Sequence, residues 1–194
     1  MGHETHRKRC KRWDTPWQAH FLTFSCFQRR PLLNRDRTRT WFIDSLQRAR
    51  TTAGFDLWAF VLMPEHVHLL IWPHEGAKIS HILTAIKLPV ARQAAGFLRK
   101  HAPEQLATLT AGSEGRRTYR FWQPGGGYDR NMRSIRDIHE KLRYIHNNPV
   151  TRKLVTRPQE WGWSSARAWA TGTDEPLAID RESLPILVRD RSWE

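Results

Sequence analysis

The chain predicts an α+β fold: a ferredoxin-like antiparallel sheet with helices packed on one face. Three observations carry that prediction. Short runs rich in β-branched and aromatic residues alternate with longer stretches whose apolar residues repeat at helical spacing. Two adjacent strand-like runs, 55–63 and 66–72, are separated only by Pro64-Glu65, a connection so short that the pair must be antiparallel. The full order of strand, helix, strand pair, helix, strand, helix is that of a sheet with helices laid against it.

Taken in order, residues 1–16 form a polar, basic arm. His20 to Phe27 has strand composition and ends in the basic turn Gln28-Arg29-Arg30-Pro31. Arg35 to Ala53 reads as a helix with Trp41, Phe42, Leu46 and Ala49 on one stripe, closed by Gly54 as C-cap. In the hairpin that follows, Val67, Leu69 and Ile71 share one face, while His66, His68, Leu70 and Trp72 share the other, because successive strand side chains alternate. Lys78 to Lys100 is helical, with Ile79, Ile82, Leu83 and Ile86 at helical spacing, and Pro89 should kink or split it. Ala102 to Arg117 reads as a loop, Thr118 to Gln123 as a short strand, and Gly125-Gly126-Gly127 as a turn into Tyr128-Asp129-Arg130. Ser134 then caps a helix, with Asp137 three residues on, whose buried stripe is Ile135, Ile138, Leu142 and Ile145 and which Pro149 stops.

Bulk properties narrow the function. With 194 residues the chain suits one domain with a real core. Its 32 Lys and Arg against 19 Asp and Glu give a formal charge of +13 and a pI near 10.8, which points to a polyanionic partner, nucleic acid first. No segment has the run of ~18 to 20 apolar residues of a membrane span, and the start lacks the apolar stretch of a signal peptide, so a cytoplasmic protein is expected. Cys10 and Cys26 match neither a disulfide framework nor a zinc site and read as free thiols. Most of the ten tryptophans are assigned to packing, with a few left to stack on bases.

The candidate chemistry sits on two separated pieces. His66 and His68, two positions apart on a strand, point to one face and are placed to share a divalent cation. Tyr144 and Asn148, four apart on a helix, also share a face. Taken alone, each piece has an ordinary reading: hydrogen-bonded core histidines, a packed tyrosine, and an asparagine at a helix end before a proline.

Four segments in order change the balance: Phe60 to Trp72 (FVLMPEHVHLLIW), Phe121-Trp122-Gln123, Tyr144 to Val150 (YIHNNPV) and Trp161 to Ser165 (WGWSS). Together they resemble the single-tyrosine HUH transposases, most closely the REP-associated tyrosine transposases of bacteria. The resemblance spans residues 17–170, setting off the arm 1–16 and a tail 171–194. It implies that His66, His68 and Asn148 hold a divalent metal, Mg or Mn favoured, and that Tyr144 is the nucleophile on single-stranded, hairpin-forming DNA. It further implies a 5′-phosphotyrosine intermediate, strand cleavage and rejoining, no nucleotide cofactor, a monomer or homodimer, and a nucleoid-associated site of action. A cation suits such chemistry, because forming a phenolate from a tyrosine of pKa near 10 costs about 4 kcal/mol at pH 7 and the phosphodiester repels it. Arg116, Arg117, Arg120, Arg130, Arg133 and Arg136 surround the approach to the tyrosine helix and are candidate DNA contacts. Glu65 and Glu140 are polar neighbours without an assigned role.

Two departures from the resemblance stand out: Asn131 where many relatives carry His, and Tyr128 as a second hydroxyl in a Gly-rich loop. The alternative reading is a domesticated, sequence-specific hairpin-binding protein without catalysis. A nucleotide hydrolase with a His-x-His-x-His track is disfavoured because position 70 is Leu, and a membrane-surface protein lacks its basic amphipathic helix.

Overall fold

The computed structural model describes residues 17–112 and 118–187. The arm at 1–16, Cys10, Arg116 and Arg117, and the end of the tail lie outside the described residues. The strands are β1 (His20–Ser25), β2 (Phe55–Leu62), β3 (His66–Pro73), β4 (Thr110–Ala111), β5 (Thr118–Tyr119) and β6 (Tyr128–Asn131). The helices are α1 (Asp36–Ala53), α2 (Ile79–His101), α3 (Pro103–Thr108), α4 (Ile135–Thr151) and α5 (Ala166–Thr171).

Four strands form one antiparallel sheet in the order β2-β3-β1-β6, the ferredoxin-like arrangement. The alternation read in β3 sorts the two faces. Val67, Leu69 and Ile71 join Phe42 and Leu46 of α1 and Ile82 and Ile86 of α2 in one core. Leu70 joins Phe21, Trp58 and Val61 in a second core, closed by Ile138 and Ile145 of α4. The paired helices α1 and α2 thus occupy one face, as expected, and α4 covers the opposite one.

Pro89 does not split its helix, which runs unbroken from Ile79 to His101. A proline removes one i→i−4 donor and strands the carbonyl of Ala85. Ser45 of α1, fully buried, reaches across and donates to the Ile86 carbonyl at 2.8 Å and, less closely, to that of Ala85 at 3.3 Å. Neither does Pro149 stop α4 at once; the helix continues to Thr151. Ile135, expected on its buried stripe, is exposed in the first turn, whereas Ile138 and Ile145 are buried. Ser134 accepts from Asp137 N–H at 3.1 Å, the predicted cap.

Between the helices the structure corrects the reading twice. The segment taken as a loop from Ala102 holds α3, with Pro103 in its first turn, and β4, which pairs with β5. The strand expected at 118–123 is therefore only Thr118–Tyr119, followed by a single bridge from Trp122 to Cys26. The fourth strand of the main sheet is Tyr128–Asn131, which follows the glycine turn directly. Gly127 makes this possible: its φ is +75°, and a Cβ there would overlap the Thr23 carbonyl oxygen. Once past it, His20 and Asp129 pair at 2.8 Å in full burial.

The open edge of β2 is closed by the chain beyond α4. Trp163 and Ser165 bond to the backbone of Leu62 and Phe60. Asp180 does the same for Leu57, accepting from its N–H at 2.7 Å and donating to its carbonyl at 2.9 Å, while Arg50 holds the Asp180 carboxylate at 2.5 Å. An unpaired edge thereby gains partners for its backbone. The described part of the segment set apart as a tail thus packs on the body, with Leu177 and Ile179 buried.

Candidate active site

Cross-strand register builds the floor of the site. His68 on β3 lies opposite Thr23 on β1, which lies opposite Tyr128 on β6, so the three side chains share one row on the α4 face. His68 Nδ1 is 2.7 Å from the Thr23 hydroxyl, which fixes the ring. His66, two residues earlier, brings its Nε2 to 3.1 Å from His68 Nε2. Its Nδ1 lies 3.0 Å from a Glu65 carboxylate oxygen. A carboxylate only accepts, so His66 carries its proton on Nδ1 and a lone pair on Nε2, turned toward His68.

Burial dominates the electrostatics. It lowers the pKa of His66, although the Glu65 charge works against it. It takes His68 down to about 3, helped by His66 and Lys141. Both imidazoles are neutral at pH 7, the form in which histidine binds metal. Burial also opposes ionisation of Glu65, but His66 and Arg152 outweigh it and hold the carboxyl below the usual range.

The helix α4 supplies the other half. Tyr144 is 48% exposed, with its ring edge-on to His68 at 5.4 Å and to Phe21 at 5.9 Å. Lys141, one turn earlier, sets its ammonium 5.2 Å from the centre of the Tyr144 ring. One turn later, the Asn148 amide nitrogen lies 3.2 Å from His68 Nε2. Its Oδ1 is buried without a hydrogen-bond partner. Among the described residues no group of three His, Cys, Asp or Glu is arranged to hold an ion, and this amide is a side-chain oxygen available beside the two imidazoles. Two neutral imidazoles with converging nitrogens and an orphaned amide oxygen fit a divalent cation.

The sequence profile of the family described as "Transposase IS200 like" matches residues 15–148, more than half of the chain. The chain belongs to the IS200-like transposase family. Membership makes it a DNA-processing enzyme in the broad sense. Among solved structures, a REP-associated tyrosine transposase bound to a REP hairpin is similar over 95% of this chain and 100% of its own, at 19% identity and a TM-score of 0.66, which establishes the shared fold. A candidate transposase from Deinococcus radiodurans R1 is more loosely similar, at 21% identity over 71% of this chain and 95% of its own, with a TM-score of 0.44. No curated protein matches the chain significantly.

In this IS200-like chain the four residues singled out from the sequence, His66, His68, Tyr144 and Asn148, come together at one place. The arginines do not form a single group. Arg120 is tied through its N–H to Leu109 at the β4–β5 hairpin. Arg130 makes a two-pronged contact with Asp137 at 3.0 and 3.1 Å, and Arg133 and Arg136 stand exposed at the start of α4. Arg116 and Arg117 fall outside the described residues. Sequence reasoning left Glu65 without a role and missed its partners: Arg152 donates to it at 3.0 Å, and Arg29 approaches at 3.8 Å. Thr23 and Lys141 were also missed. Helical spacing to Tyr144 could have found Lys141, but no sequence signal ties Thr23 or Arg152 to the site, since Thr23 is 45 positions from His68 and Arg152 is 87 from Glu65. Glu140 is exposed.

Proposed function

We propose that this transposase cleaves and rejoins single-stranded, hairpin-forming DNA through Tyr144, with His66, His68 and Asn148 holding a divalent ion, Mg or Mn favoured. The observation that carries the reading is the Tyr144 ring standing edge-on to His68, with its neighbours His66 and Asn148 each within 3.2 Å of the same His68 nitrogen. The solved relative, bound to a REP hairpin, supports DNA of that kind as the substrate.

When bound, the ion supplies positive charge that orients and polarises the scissile phosphate. Everything else falls to the chain. Glu65 and Thr23 fix the two imidazole rings. Lys141 adds charge beside the phenol. The Tyr144 oxygen bonds to phosphorus and the P–O3′ bond breaks; the 3′ oxygen leaves with the electron pair and gains a proton, while the phenolic proton passes to solvent. The products are a 5′-phosphotyrosine and a free 3′-hydroxyl. Attack of a 3′-hydroxyl on that link reverses the step and rejoins the strand, so no nucleotide cofactor enters. The same reading has the protein acting on DNA in the cytoplasm at the nucleoid, as a monomer or homodimer; among the described residues no helix is long and apolar enough to cross a membrane.

The test mixes the protein with labelled hairpin oligonucleotides and Mg or Mn, and runs wild type beside Tyr144→Phe on a denaturing gel. The expected result is an adduct that survives denaturation in wild type and is absent from the variant, with hairpin binding retained in both. Binding without any adduct in wild type would favour the non-catalytic hairpin binder.

A further inference from the structure

We propose that a cavity on the α1–α2 side of the molecule binds one unpaired nucleotide, its base against Trp41 and its phosphate on Arg35 and Arg37. The proposal rests on the DNA-processing reading only for where the nucleotide comes from. The cavity lies between the start of α1, the end of α2 and α3, and measures about 560 Å³, within the range of small-molecule sites.

Its lining has the chemistry of a nucleotide site. Arg30, Arg35 and Arg37 face it together with the rings of Trp41, Phe97 and Phe121. The lining carboxylate, Asp36, is held by Arg39 at 3.1 Å. None of the three lining arginines has a carboxylate partner among the described residues. Arg30 donates to the Thr108 carbonyl and hydroxyl, which leaves its charge uncancelled, and Arg35 is exposed. Arg37 rests 3.9 Å from the centre of the Phe97 ring, which also stacks on His101 at 4.5 Å and meets Trp41 at a tilt at 6.1 Å. Phe97 carries the Arg37 cation, whereas Trp41, tilted against Phe97, has no cation over its ring among the described residues and is the lining ring assigned to a base. The indoles of Trp58, Trp122, Trp161 and Trp169 donate to protein acceptors, whereas that of Trp41 has none among the described residues. Concentrated positive charge beside an available aromatic ring is how single-stranded nucleic acid is held without base pairing.

The cavity is also joined to the active site. Gln28 and Arg29 have φ of +53° and +54°, a left-handed conformation that residues other than glycine rarely adopt, and two in succession mark a turn held by its surroundings. Within that turn Arg29 approaches Glu65, beside His66, at 3.8 Å, and the next residue, Arg30, enters the cavity wall. Two consecutive residues, Arg29 and Arg30, thus run from the neighbourhood of His66 to the cavity wall.

The experiment compares a blunt hairpin, the same hairpin with a single-stranded extension carrying 5-iodouracil, and a labelled mononucleotide, on wild type and on the double variant Arg35→Ala, Arg37→Ala. The extended hairpin should crosslink within residues 30–41 or 94–109 and should bind the variant about tenfold more weakly, the loss of a charge-assisted contact. The blunt hairpin should bind both within twofold. Mononucleotide binding with the same arginine dependence assigns the site to a free nucleotide. If neither the extended hairpin nor the mononucleotide shows arginine-dependent binding or a crosslink there, the proposal is wrong. Tyr144 adducts formed by the variant at saturating DNA would then leave the proposed function standing.

Discussion

Glu65 gives the sharpest test of how the candidate metal site is held together. Glu65→Gln keeps the shape and an acceptor oxygen but removes the charge. In the structure the carboxylate takes one bond from His66 Nδ1 and one from Arg152, both at 3.0 Å, with little exposure to water. Hydrogen bonds to a charged group are worth about 1.5 to 3 kcal/mol and neutral ones about 0.5 to 1.5, so each bond weakens by about 1 to 1.5 kcal/mol. The Arg152 bond, half-exposed on the arginine side, is discounted for solvent screening and contributes mainly to stability. The His66 bond bears directly on metal affinity, because the carboxylate raises the basicity of the imidazole and fixes its tautomer. Its weakening corresponds to about tenfold, the lower end of the ~10 to 100-fold expected when such a supporting group is lost. Titration of Mn²⁺ by calorimetry or electron paramagnetic resonance, on wild type and variant, reads this directly, with the melting temperature as a check on the fold. An unchanged Mn²⁺ affinity in a folded Gln variant would refute the idea that Glu65 supports His66 as a ligand.

Three further predictions concern the scaffold. Ser45→Ala should cost about 1 to 2 kcal/mol, since it leaves the carbonyls beside Pro89 without their buried donor; calorimetry should show a fall of a few degrees in Tm, and an unchanged Tm would mean that α2 tolerates Pro89 unaided. Gly127→Ala combines a left-handed φ with an overlap against the Thr23 carbonyl, so urea unfolding should show a loss above about 2 kcal/mol, and a change under about 0.5 kcal/mol would contradict the close approach of β6 to β1. Burial pushes the Cys26 thiol up to about 12 and Tyr119 higher still. The unfolded chain therefore loses these protons first, so stability is intact below about pH 8.5 and falls as pH rises, by up to about 1.4 kcal/mol per unit for each group. Urea midpoints from pH 8 to 10.5 should decline for wild type and decline less for Cys26→Ala; parallel declines would show that the thiol plays no part.

What was legible in the sequence follows from the range of the forces involved. The period-two pattern of β3 placed His66 and His68 on one face because strand alternation is local, and Leu70 confirms it by packing toward α4 rather than toward α1 and α2. Tyr144 and Asn148 were paired by helical spacing for the same reason. β6 was not legible. Tyr-Asp-Arg-Asn has little strand propensity, and its extended form depends on a buried partner for Asp129 at His20, 109 positions away, and on a glycine that lets two backbones touch. Pro89 misled in the opposite direction: the local rule is sound, and a hydroxyl from another helix offsets it. Arg152 and Arg29 went unseen because carboxylate partners are chosen in space and leave no spacing behind.

The geometry also explains why a ferredoxin-like sheet suits this site. A metal centre formed within one strand would have ligands but no means of orienting them. Here β1 lies between β3 and β6, so Thr23 holds His68 from one side while its own register partner, Tyr128, stands at the rim. The end of the β2–β3 hairpin carries Glu65 beneath His66, and α4 crosses above with Tyr144 and Asn148 one turn apart. Lys141 completes the helix side by covering both Phe21 and Tyr144. Each imidazole is thus fixed at Nδ1 by a group on the sheet side, and only the Nε2 atoms face the helix. The tyrosine comes from a different layer than the histidines, so its phenol remains half-exposed while they are buried and neutral. Under the proposed function, a nucleophile that meets a DNA strand would sit at the surface and imidazole ligands would sit deeper and neutral; packing a helix on a sheet provides both depths within 5.4 Å.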